Sequence, residues 1–555
     1  MKKNLLNYNY IYLLLIFFIF FYIKILTFDD KFLGIDQSFY NQWILDLRAA
    51  ENFFPQGDNN FLENLVLDKN SFLHQFFKRI YNNFSTIFAL LSIFLNYTFS
   101  FLIDANPRYF NILSILFNTL IPFLILVLFK QKISFFKIKE NIYYLLFILL
   151  FSLNFSFFFY APLGVHNIAI FFNTVTIYFS IKNFKNPQFI DKYFLFFGII
   201  LPILCHSYNF FFIFFYLFIL IFYRFYFLKL IKIKKDLILL TSIFCANLLI
   251  LLIVFSINKN NINFLESILS FFNNNSSFNI FVFLSNIILN SKLWLIKIFD
   301  YFGILNLLIF IFIIFQLKKP ELLIAICAHY ILFILLDLNK YYFSVILYNL
   351  IPIYIYFFFY IKNINFFFKK NLYLNILVVI LIFFSILNSI NEIFFSKNLS
   401  QSKKTFYNFY YKDNKIIKEK FAEIIKITKN KQIIFNSELS KNLYNNYSSG
   451  SINDYINRNY FELNEYKNLS SLDKIKSKNK LKYIYYKNKA DNFTIKNTYY
   501  LYFGYNETNP KNKICKLMLK NKIDCEKIKN INYDNKYEEF LFHNNKYKLI
   551  LYFID

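Results

Sequence analysis

Residues 109–140 read YFNILSILFNTLIPFLILVLFKQKISFFKIKE, an apolar run that ends in four lysines, Lys130, Lys132, Lys137 and Lys139. A helix needs about 20 apolar residues, at about 1.5 Å each, to cross ~30 Å of hydrocarbon. Lysines in a short loop hold that loop on the cytoplasmic side. The run therefore enters from outside and ends inside. The preceding stretch 84–103 is apolar enough to span as well. If both crossed, the lysines would fall outside, so 84–103 is expected to lie on, or dip into, the outer interface.

The same alternation extends in both directions. Lys2 and Lys3 place the N-terminus inside, and the apolar run over 10–28 carries the chain out. No small-residue cleavage site follows, so this run reads as an uncleaved first helix that doubles as an export signal. Segment 141–160 goes out and turns through Ala161-Pro162-Leu163-Gly164-Val165-His166-Asn167, and 168–181 returns to Lys182, Lys185 and Lys192. Stretch 193–226 is too long for one helix and is broken at Pro202 and His206-Ser207-Tyr208-Asn209, which predicts a hairpin with its elbow outside. Segment 236–257 goes out to an Asn-rich, amphipathic loop over 258–296. Segments 299–316, 321–338, 342–361 and 371–391 complete the set, and every basic loop between spans falls on one side. The total is about 11 spans, an odd number that leaves the C-terminus outside.

Composition agrees with this class. The 555 residues are 57% hydrophobic, with 82 Phe and 45 Tyr but only 7 Gly; mean hydropathy is +0.40. The formal charge of +28 comes from basic loops and a Lys-rich tail, so no nucleic-acid partner is implied. Beyond residue 392 the chain turns to Lys, Asn, Tyr and Ser, with β-like runs at 432–435, 481–486, 499–503 and 547–552 and a helical stretch at 414–428. The expected architecture is a polytopic α-helical membrane protein over 1–391, with an external loop over 29–108, followed by a soluble α/β domain over 392–555. Cys515 and Cys525 in that tail can form a disulfide in an oxidising compartment.

Candidate chemistry collects on the predicted outer face. Asp36, in Gly34-Ile35-Asp36-Gln37, sits just beyond the first helix, where a carboxylate is in water yet beside lipid and can take a proton from a hydroxyl. The plain alternative is a solvated marker of topology, and Asp29, Asp30 and Asp46 compete with it. Trp43, Leu47 and Phe53-Phe54 make 42–54 read as an interfacial helix. His74, Lys78 and Arg79 follow at helical spacing and can hold a phosphate, or merely touch headgroups. The elbows add His166, Asn167 and His206 on the same side, and polar groups within hydrophobic segments tend to mark a cavity. His329, in mid-span, reads as a hydrogen-bonded helix contact.

This layout resembles the GT-C superfamily of membrane glycosyltransferases, such as the protein O-mannosyltransferases and aminoarabinose transferases. The resemblance rests on Gly34-Ile35-Asp36-Gln37, on Asn106-Pro107-Arg108-Tyr109-Phe110-Asn111 leading into the second helix, and on the turns Tyr160-Ala161-Pro162 to Asn167 and Cys205-His206-Ser207-Tyr208. It covers about residues 10 to 230, as pattern more than motif. It implies transfer of a sugar from a polyprenyl-phosphate donor to a lipid, glycan or protein acceptor at the outer face, Asp36 acting as general base. Lys78, Arg79 or Arg108 would steady the leaving phosphate. The family motif carries two adjacent acids, whereas Gln37 stands at the second position here, and His166-Asn167 replaces an acid at the next turn. That is a thin ligand set for a divalent cation, and no cofactor is assigned. Two other readings are a lipid-linked glycan flippase or transporter, which needs a polar path across the whole membrane, and an O-antigen polymerase or ligase-like protein, whose main loop would be 258–296. The implied setting is a bacterial inner membrane, N-terminus cytoplasmic and C-terminal domain periplasmic.

Overall fold

The computed structural model describes residues 2–28, 108–130, 138–162, 166–185, 208–228, 280–317, 319–335, 342–407, 413–428 and 431–437, together with 440–441, 443–444, 460–462, 498–505, 515, 528–530, 540–542 and 547–554. Two compact units separate, one closing at Thr405 and a second carrying the residues from Phe406 onward.

The first unit is helical. In chain order its elements are α1 (Lys2–Thr27), α2 (Arg108–Lys130), α3 (Ile138–Ser152), α4 (Phe155–Phe159), α5 (His166–Lys185), α6 (Tyr208–Leu228), α7 (Ile280–Phe302), α8 (Ile304–Gln316), α9 (Pro320–Leu335), α10 (Tyr342–Lys362), α11 (Ile364–Lys370), α12 (Leu372–Phe395) and α13 (Gln401–Tyr407). Among the described residues, Ile112–Phe129 and Leu372–Phe395 are long and apolar enough to cross a membrane, and the bent pair Ile287–Phe302 and Ile304–Gln316 makes a third if counted as one span. Leu14, Leu15, Phe18, Ile19, Tyr22 and Leu26 on α1, and Tyr373, Ile380, Phe383 and Phe384 on α12, are large, apolar and exposed. Faces of that size suit hydrocarbon rather than water. The chain is a helical membrane protein.

Helix α10 is the hub. Its sequence is apolar all round, which suits a helix surrounded by protein, and it packs against α3, α5, α7, α8 and α9. Residues 347–358 are buried without interruption. Four tyrosines of α10 reach out, each to a different neighbour. Tyr348 Oη meets His166 Nδ1 at 3.2 Å, and Tyr354 donates to Leu150 O at 3.3 Å. Tyr356 donates to Lys319 O, and Tyr360 to Asn375 Oδ1. A phenol taken out of water loses stability unless it finds a partner, so these bonds favour one rotation and height of α10.

The bonds also sort helix ends. At one end of the bundle Lys362 Nζ donates to Phe129 O at 3.1 Å, placing the C-termini of α2 and α10 together. These are the ends at which the sequence carries its lysines. At the other end Phe28 packs its ring on Phe158 and Phe159, 5.7 and 6.5 Å between centroids.

Two elements depart from expectation. Segment 141–160 is not one helix: α3 stops at Ser152, and Asn154 starts α4 by accepting from Ser156 N at 3.1 Å. An Asn side chain that caps the next turn ends the previous one. The polar stretch 258–296, expected as a loop, contains most of α7. Its bond partners show that α7 runs past several helix ends. Asn290 donates to Ile334 O at 3.2 Å, Ser156 to Tyr301 O at 2.8 Å, and Asn154 to Phe302 O at 3.4 Å. The chain then bends by 106° into α8. Gly303 makes the bend at φ 90, ψ 144, a conformation open in practice only to glycine.

Where α12 ends, Lys403 Nζ grips both oxygens of Glu392, at 2.7 and 2.6 Å, with the two side chains only 4% and 6% exposed. The ammonium also lies 5.3 Å from the centre of the Phe155 ring. Desolvation pushes the Lys403 ammonium below its ordinary range, and Glu392 and Asp300 oppose that shift. Next to it, Ser402 donates to Asp300 Oδ2 at 2.5 Å and accepts from Lys297 at 3.0 Å. These contacts bind α13 to α7, α4 and the end of α12.

In the second unit α14 (Asp413–Thr428) covers a mixed sheet of β1 (Gln432–Phe435), β2 (Tyr460–Glu462), β3 (Thr498–Tyr505), β4 (Ile528–Asn530), β5 (Phe540–Phe542) and β6 (Tyr547–Ile554). The order is β2-β1-β3-β6-β4, with β5 also paired to β6. β1 runs parallel to β2 and β3, and β6 is antiparallel to β3, β4 and β5. Phe421 and Ile424 of α14 pack on alternate strand residues Ile433, Phe435, Leu501, Phe503, Leu549 and Leu551, the period-two face that a half-covered sheet requires. Cys515 is disulfide-bonded; its expected partner Cys525 lies outside the described residues.

Candidate functional site

The polar side chains that sequence placed at the 160–167 turn sit at the N-terminus of α5. Asn167, fully buried, shares its amide protons among Ser114 Oγ at 2.8 Å and the carbonyls of Tyr160 and Ala161, both at 3.1 Å. Its own oxygen accepts from Asn118 Nδ2 at 2.9 Å. Asn118 in turn accepts from Lys24 Nζ at 2.6 Å. The result is a directed chain from an ammonium through two amides to a hydroxyl and a turn. It joins α1, α2 and α5 without a carboxylate.

Lys24 is 1% exposed. An ammonium taken from water costs several kcal/mol, whereas a hydrogen bond to a charged group contributes about 1.5–3 kcal/mol. Among the described residues Asn118 is its one hydrogen-bond partner. Packing alone would favour an apolar residue here, and an ionisable group at such a depth points to function.

The neighbouring residue His166 opens onto a second group. Its Nδ1 meets Tyr348 Oη at 3.2 Å, in a bond whose donor depends on the imidazole tautomer. The Tyr160 ring lies 6.0 Å away between centroids. Beyond Tyr348, at 6.1 Å, is the His329 ring, which stacks on Phe212 at 3.8 Å and 7°. Phe212 stacks on Tyr216 at 5.5 Å. His329, expected from sequence as a hydrogen-bonded helix contact, is held here by ring stacking. An imidazole–phenol pair can pass a proton or hold a hydroxyl group, and the Lys24 chain can hold a negative charge. The two meet at adjacent residues on one helix end.

Of the sequence candidates, His166 and Asn167 are brought into this system, and Arg108 is the first residue of α2. Asp36, His74, Lys78, Arg79 and His206 lie outside the described residues. Among the described residues there is no group of three or more His, Cys, Asp or Glu able to hold a metal ion. Sequence reading passed over Lys24, Ser114, Asn118 and Tyr348. Ser114 and Asn118 stand four apart, on one face of α2, and Lys24 is the only charge between Lys3 and Asp29. Those two signals were available. Nothing in the sequence marks Tyr348 among 45 tyrosines. The chain matches no protein-family model and no curated protein.

Proposed function

We propose that this chain is an integral-membrane glycosyltransferase that moves a sugar from a polyprenyl-phosphate donor to a hydroxyl acceptor at the outer membrane face. The reading has about 11 spans, a cytoplasmic N-terminus and a periplasmic C-terminal domain. Asp36 removes the acceptor proton as the hydroxyl attacks the anomeric carbon, the configuration inverts, and the lipid phosphate leaves. The observation that carries this reading is the meeting of the Lys24–Asn118–Asn167 chain with the His166–Tyr348 pair at the start of α5. On the topology expected from sequence that end of the bundle faces outward. A lipid-anchored donor reaches such a site sideways from the bilayer, and a polar chain set against an apolar wall fits a substrate that is part sugar phosphate and part hydrocarbon.

The test is Asp36→Asn, with profiling of lipid-linked glycans and glycoproteins in cells that carry the variant inserted and folded. The expected outcome is loss of one glycosylated product and build-up of its acceptor. An unchanged profile would sink the Asp36 mechanism.

A further inference from the structure

We infer that Lys24, Asn118 and the N-terminus of α5 form a binding site for a phosphate group, carried on an amphiphile or free, inside the helical unit. The inference rests on the transferase reading only for the identity of the lipid tail. Three observations carry it. Lys24 is buried, yet the only hydrogen-bond partner it has among the described residues is neutral. An ammonium has three donors, so two are left to meet an incoming anion. Moreover, every side-chain amide in the chain passes its hydrogens away from Lys24: Asn118 donates to Asn167, and Asn167 to Ser114 and the turn carbonyls. This orientation turns the amide oxygens towards Lys24, which steadies the ammonium with dipoles alone and leaves it without an anionic partner. Finally, Asn167 is the second residue of a 20-residue helix, whose first-turn N–H groups and dipole favour an anion. Lys24 stands one turn from the end of α1, about 5 Å of helix, shallow enough for a headgroup while the tail stays in hydrocarbon.

Phosphate is favoured over carboxylate because its oxygens can engage the ammonium and helix N–H groups together. The residue is a binding group and not a catalytic one: it holds the anion in the free enzyme, before any bond is broken.

The experiment uses the full chain in detergent micelles, titrated with farnesyl phosphate, farnesol or inorganic phosphate while the unfolding temperature is followed. The wild type is expected to be stabilised by farnesyl phosphate and not by farnesol. Lys24→Met should raise the apparent Kd for farnesyl phosphate at least tenfold, and Lys24→Arg, which keeps the charge, should restore most of it. A matching response to inorganic phosphate identifies a free ion as the occupant, whereas a response confined to farnesyl phosphate identifies a lipid headgroup. No response in the wild type, or an equal response in Lys24→Met, overturns the site. If Lys24→Met fails to fold, Asn118→Leu, which withdraws the amide that holds the ammonium, takes its place with the same expected loss. Asp36→Asn is run in parallel. Unchanged glycan profiles with that variant, alongside Lys24-dependent binding, refute the transferase reading and leave the phosphate site standing.

Discussion

The Glu392–Lys403 pair allows a sharp quantitative test. Both side chains are almost wholly buried and joined by two short bonds, and Glu392 accepts a third from Asn388 at 3.1 Å. Replacing Lys403 with Met keeps the length of the stem but leaves a carboxylate stranded out of water. Breaking one side of such a pair costs about 3–5 kcal/mol, much of it the desolvation of the orphaned charge. Two charge-assisted bonds at ~1.5–3 kcal/mol each give about 3–6 kcal/mol, an overlapping range. Glu392→Gln should cost less, because Asp300 still faces the ammonium and the amide oxygen can accept one bond. Removing both charges together, with Glu392→Leu and Lys403→Met, strands nothing and should return stability to within ~2 kcal/mol of wild type. The measurement is a double-mutant cycle, by reversible unfolding in mixed micelles with near-UV circular dichroism. A coupling energy of about 3 kcal/mol is expected. If Lys403→Met alone costs under about 1 kcal/mol, or the double variant equals the sum of the singles, the pair is not the clamp described above.

Three further outcomes follow from single sites. Gly303→Ala meets nothing within 4 Å of the added Cβ, so its cost is purely the φ of 90, about 1–3 kcal/mol; thermal unfolding that is unaltered would refute the glycine requirement at the α7–α8 bend. Asn167→Leu leaves Asn118 and two turn carbonyls short of partners, which should cost on the order of 3 kcal/mol, and it should speed proteolysis at the 160–167 turn; a neutral result would mean the chain from Lys24 does not hold that turn. In the second unit, the buried Tyr500 hydroxyl has no hydrogen-bond partner among the described residues, so Tyr500→Phe should be neutral or stabilising by up to about 1 kcal/mol. Burial also raises the Tyr500 phenol above its usual range. A raised folded value means the neutral form is favoured in the fold. Stability is thus fully present below pH ~10 and falls as pH rises from there towards the folded value. Tyr500→Phe should flatten that alkaline loss, as seen by calorimetry of the full chain, and an unchanged slope above pH ~10 would count against it.

The sequence was most readable where one physical signal dominates. α2, α10 and α12 are uninterrupted apolar runs, and the expected spans 109–129, 342–361 and 371–391 lie within them or overlap them nearly end to end. The helix at 414–428 and the runs at 432–435, 499–503 and 547–552 coincide with α14, β1, β3 and β6, because amphipathic periods of 3.6 and 2 mark half-buried elements. The run at 481–486 lies outside the described residues. The three-residue strands β2, β4 and β5 are too short to show a period and owe their form to their partners. α7 was missed because its asparagines, lysines and serines read as a loop, though they serve as contacts to other helix ends. Gly303, one of only seven glycines, was the available clue to the bend. For the site, polarity at an apolar turn pointed to His166 and Asn167. Hydropathy cannot distinguish a lysine that faces lipid headgroups from one sealed between helices, which is why Lys24 needed coordinates.

The position of α10 bears on how the bundle is built during synthesis. Among the described residues, the five helices packed most extensively against it (α3, α5, α7, α8 and α9) all precede it in the chain. A ribosome delivers those segments first, so α10 can slot into a socket whose walls are already made, its tyrosines exchanging water at the translocon directly for waiting carbonyl and imidazole partners. Only Tyr360 must wait, since Asn375 arrives with α12. A chain halted just after Lys362 would already hold three of the four contacts that seat its central helix.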